Sequence, residues 1–103
     1  MKRVIETNEV LGHVETAEGA AELCASAEAG YDESAGSLLV KLDAFLRNTD
    51  LVTKERHFTA DWLPHPETVR ERVGAEESVE MARDIFHRWV RKVRAAAPAL
   101  HHD

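Results

Sequence analysis

The sequence predicts an all-α protein, a small single domain spanning residues 1–103 with four or five helices packed as an orthogonal or antiparallel bundle. Three observations predict it. Apolar residues recur at three- and four-residue spacing along most of the chain. Helix-stopping residues, Gly30, Gly74 and Pro98, follow the periodic runs. The composition, 44% hydrophobic and 31% charged over 103 residues, suits a single core of moderate size.

The first segment, MKRVIETNEVLGHVET, is ambiguous. Val4, Ile5, Val10, Leu11 and Val14 fit a helix face loosely and a short hairpin about as well. Gly12 weakens both readings, and a short helix is the one taken. In the next segment Ala17, Ala20, Ala21, Cys24 and Ala27 trace one helical face. Thr16 is its candidate cap, with Glu18 and Glu22 in its first turns. An almost wholly alanine face would let a neighbouring element approach closely.

Leu38, Leu39, Leu42, Phe45 and Leu46 predict a further helix, with Asp32 or Ser34 as cap and Asn48-Thr49-Asp50 as stop. Residues 51–63 are again ambiguous: Leu51, Phe58 and Trp62 favour helix, while Val52, Phe58, Ala60 and Trp62 keep a strand open. PETVRERVG reads as a short helix with Pro66 at its first position and Gly74 just past its end. Residues 76–97 predict the longest helix. Val79, Ala82, Phe86, Trp89, Val90 and Val93 make its face, with acidic residues at its start and basic ones at its end, as the helix dipole prefers. The expected core is Ala20, Cys24, Leu38, Leu42, Phe45, Phe58, Trp62, Val79, Phe86, Trp89 and Val93.

The formal charge is −6, from 13 basic and 19 acidic side chains. All of the excess lies in residues 1–50, whereas Arg83, Arg88, Arg91, Lys92 and Arg94 cluster on the last helix with Asp84 among them. This balance favours solubility and argues against nucleic acid as partner. Cys24 is the single cysteine, so no intrachain disulfide forms. MKRVIETNEV lacks the apolar run of a signal peptide, and no stretch is long enough to span a bilayer. The expected compartment is the reducing cytoplasm.

The richest stretch for chemistry is HFTADWLPHPE, residues 57–67. On a helix His57 and Asp61 would share a face, and His65 and Glu67 follow closely enough to join them. Imidazole and carboxylate together suit a divalent transition metal. Asp84 with His87, or His13 with Glu9, could complete such a set. Against this, Pro64 and Pro66 extend the residues before them, so the stretch reads first as a junction, with Trp62 as an anchor. Asp84–Arg88 and His87–Arg91 have the spacing of solvated helix pairs. A single acid-x-x-His pair falls short of a di-iron bundle. Cys24, flanked by Glu18, Glu22 and Glu28, reads as an inert buried thiol.

With no complete catalytic constellation, the function predicted is that of a non-enzymatic, cofactor-free cytoplasmic interaction or accessory protein. It would bind a protein partner or itself through the amphipathic helix that carries Arg83, Arg88, Arg91, Lys92 and Arg94. The alternative is a metal-binding helical protein using His57, Asp61, His65 and Glu67, with a redox or sensing role.

Overall fold

A computed structural model describes residues 1–17, 19–48 and 56–100. It overturns the all-α prediction. The chain is mostly antiparallel sheet: β1 (Lys2–Thr16), β2 (Gly19–Asp32), β3 (Ser37–Asn48), β4 (Arg56–Phe58) and β5 (Glu67–Arg72). A 3-10 turn at Ala75–Glu77 leads into α1 (Ser78–Ala96), the one α-helix among the described residues. Expectations resting on Glu18 and residues 49–55 lie outside the described residues, as do His101 and His102.

The strands run in the order β1-β2-β3, and the far edge of β3 is shared by β4 and β5. β2 pairs with β3 without interruption, from Glu22↔Arg47 to Asp32↔Ser37. Period-two alternation decides these strands. Ala21, Leu23, Ala25, Ala27, Ala29 and Tyr31 on β2, and Leu38, Val40, Leu42, Ala44 and Leu46 on β3, are buried on one face. α1 covers that face with Ala82, Ile85, Phe86, Trp89, Val90 and Val93, and all of these belong to one core. Burying each large side chain contributes about 1.5–3 kcal/mol.

The same alanines explain the misreading of β2. They satisfy a helical period and a strand period at once, and alanine is the strongest helix former. β1 misled for another reason. Its register slips between Arg3 and Ile5 and again between Val10 and Gly12. Each bulge inserts one residue and reverses which parity faces the helix. Leu11 and Val14 are therefore both buried although three positions apart. Gly12, at φ 150°, supplies the backbone freedom the second bulge uses.

Local chemistry closes the turns. The Thr16 hydroxyl donates to the Gly19 carbonyl at 2.7 Å across the first hairpin. In the second, Asp32 Oδ1 accepts from the Ser34 hydroxyl at 2.7 Å and from the amides of Ser34 and Ala35 at 3.1 and 3.3 Å. The Ser34 hydroxyl, and then the Ala35 and Ser34 amides, hold the Asp32 carboxyl below the usual carboxylate range. Gly36 completes the loop at φ 61°, a conformation that costs glycine little.

The predicted short helix from Pro66 is β5, and it pairs with β3 from Leu42↔Glu67 to Ser37↔Arg72. Pro66 stands just before the strand, a position that needs no main-chain N–H. The Val73 amide donates to Gly36 O and the Tyr31 hydroxyl to Val73 O, at 3.2 and 2.8 Å, which pins the exit of β5. Of the expected core, Cys24, Leu38, Leu42, Phe86, Trp89 and Val93 are buried. Phe45, Phe58 and Trp62 are half-buried, while Ala20 and Val79 are exposed. Val79 lies in the first turn of α1, which turns Ser78 inward in its place.

Candidate functional site

The HFTADWLPHPE stretch is split by the fold. His57 belongs to β4 and stacks on Phe45 of β3, with ring centroids 4.4 Å apart. Asp61 lies in the connecting turn, His65 is exposed, and Glu67 opens β5, where its carboxylate accepts from Lys92 Nζ of α1. The helical spacing that would have put His57 and Asp61 on one face is absent. Among the described residues no three His, Cys, Asp or Glu side chains are arranged to hold a metal ion. His87 and Asp84 are exposed on α1. No ion pair joins Asp84 to Arg88 among the described residues.

What this stretch does is bridge a break in the sheet edge. β5 pairing ends at Leu42 and β4 pairing begins at Leu46, so residues 43–45 of β3 have no ladder partner on that side among the described residues. Side chains take up polar groups there. The Trp89 indole donates to Asp43 O at 2.8 Å, and the Asp43 carboxylate accepts from the Ala44 amide at 2.9 Å.

Away from α1, the sheet presents cross-strand rows. One is Glu6–Glu28–Lys41–Thr68, the next Asn8–Ser26–Asp43, then Val10–Cys24–Phe45, then His13–Glu22–Arg47–His57. The first two rows line an open trough of about 670 Å³ with an acidic, hydrogen-bonding floor. Arg47 Nε meets Glu22 Oε1 at 3.1 Å in the last row. Cys24 is fully buried in its row.

The surface that combines an apolar floor with charged rims lies between β5 and α1. A groove of about 270 Å³ is floored by Leu42, Val69, Ile85 and Trp89. Arg88 and Lys92 rise on the α1 side, with Glu67 and Glu71 on the strand side. Lys92 also sits 5.7 Å from the Trp89 ring centroid, and such cation–π contacts hold a long side chain in place. Arg83, Arg88, Arg91 and Arg94 are exposed along α1 with no ion pair among the described residues. The structure thus brings two of the sequence-predicted interaction residues, Arg88 and Lys92, to one groove. The other three stand on the outward surface of the same helix. Val69, Arg70 and Arg72 were missed because β5 read as helix. The alternation of Val69 with Thr68 and Arg70 was the available signal.

Comparison of the chain with protein-family models, curated proteins and solved structures gives no match. No helix among the described residues is long and apolar enough to cross a membrane.

Proposed function

We propose that the protein is a non-enzymatic interaction module that recognises an acidic segment of a protein partner through α1 and the adjoining strand β5. The observation that supports this is the set of exposed guanidinium groups at Arg83, Arg88, Arg91 and Arg94, none engaged in an ion pair among the described residues. Guanidinium is a planar fork matched to carboxylate, and it gives up hydration more readily than ammonium. The apolar face of α1 is consumed by the sheet, so recognition falls to its polar face and to the groove at its edge. The net charge of −6 opposes a long polyanion such as nucleic acid, whereas a short acidic segment meets chiefly the local cationic surface within a Debye length. The lone buried thiol suits a reducing cytoplasm.

The test is binding of a fluorescein-labelled, glutamate-rich peptide followed by anisotropy. Binding should weaken as salt rises, and the double variant Arg88→Glu/Arg91→Glu should weaken it at least tenfold. Equal affinity in wild type and double variant would refute the reading.

A further inference from the structure

We infer that the partner segment binds as an added strand on β5, with apolar and acidic side chains in alternation. This rests on the reading of α1 and β5 as the recognition surface and specifies its geometry. β5 pairs with β3 alone among the described residues, so its other edge offers unpaired main-chain groups. Such an edge is a template for an incoming strand, with main-chain hydrogen bonds supplying affinity and side-chain pockets supplying specificity.

The side chains of β5 dictate the pattern. Register with β3 places Val69 opposite Val40 on the face covered by α1, and Thr68 and Arg70 opposite Lys41 and Leu39 on the other. Arg72, opposite Ser37, shares the face of Arg70. An incoming strand alternates in the same way. Its residue beside Val69 would enter the groove floored by Ile85 and Trp89, and so must be apolar. Its residues beside Arg70 and Arg72 would face two exposed guanidinium groups without ion pairs among the described residues, and so should be acidic. Arg88 at the rim meets any further carboxylate that the segment carries towards α1. Charge complementarity therefore selects an extended acid–apolar polypeptide over a helix, whose carboxylates would not fall at two-residue spacing along a strand edge.

The experiment uses the full chain, labelled with ¹⁵N, and a soluble peptide whose central five residues alternate glutamate and valine between glycine–serine flanks. Amide shifts and hydrogen exchange are followed on titration. The expected result is that amides of Thr68–Arg72 shift and gain protection, together with the Trp89 indole. Arg70→Glu/Arg72→Glu, which alters exposed side chains only, should weaken binding at least tenfold, as should a peptide with lysine in place of glutamate. Shifts confined to Arg83, Arg91 and Arg94 would overturn strand addition and leave the basic-helix reading standing. Absence of binding in both this titration and the glutamate-rich anisotropy assay would overturn both. Equal response to a single-stranded oligonucleotide would show a generic polyanion site and overturn the proposed partner.

Discussion

The indole N–H of Trp89 donates to the main-chain carbonyl of Asp43 at 2.8 Å. One hydrogen bond thereby ties the middle of α1 to the stretch of β3 that, among the described residues, has β2 on one side and no strand on the other. The ring is 2% exposed, so the bond and the packing are shielded from water together.

Truncation separates the two contributions. Trp89→Phe keeps most of the ring and leaves the Asp43 carbonyl without its donor, an expected cost of about 1–3 kcal/mol. Trp89→Ala removes the packing as well and should cost about 3–5 kcal/mol. Urea unfolding followed by circular dichroism measures both. Equal losses would show that the packing of the ring contributes nothing beyond the hydrogen bond.

Cys24 is fully buried in the row between Val10 and Phe45. Its thiol should be silent to a thiol-reactive disulfide reagent in the native protein and react at once in denaturant. Rapid native labelling would mean that Val10 and Phe45 do not cover it.

Asp32 gives a pH dependence of definite sign. Its folded carboxyl is held below the usual range by the Ser34 hydroxyl and the Ala35 and Ser34 amides. The stability it contributes is therefore present above the unfolded pKa and lost as pH falls through the folded one. Asp32→Asn should lower the thermal midpoint at neutral pH, and the gap to wild type should close in acid. A gap constant across pH would show that the charge is irrelevant to the turn.

The dispersal of His57, Asp61, His65 and Glu67 bears on metal uptake. Adding Zn²⁺ should stabilise wild type and His57→Ala equally, and His101→Ala/His102→Ala should remove weak uptake by the tail. A ligand bound only by the folded state raises the midpoint by mass action. A gain that vanishes only in His57→Ala would restore a metal site at β4.

The sequence carried α1 clearly because its apolar face keeps one period from Ala82 to Val93 and both ends obey the dipole. It also carried the buried thiol and the cationic residues of α1. The strands were legible in part. On β3, VKLDA alternates strictly, but Leu39 and Phe45 on the other face widen the apolar stripe until it resembles a helix. On β2 the alanines fit either period, and on β1 two bulges break the only period that applies. Those bulges and the β3–β5 pairing are long-range outcomes, set by which strands meet. The groove at Val69 and Trp89 could not be read before that pairing was known.

The groove exists only if residues 67–72 form a strand beside β3, so that pairing is the most direct test. Nuclear Overhauser contacts in the full chain should link Val40 with Val69 and Leu42 with Glu67, with helical three-residue contacts running through 78–96 and absent from 67–72. Helical contacts within 67–72, with no link from Val69 to Val40, would contradict the strand, the groove and the docking mode together.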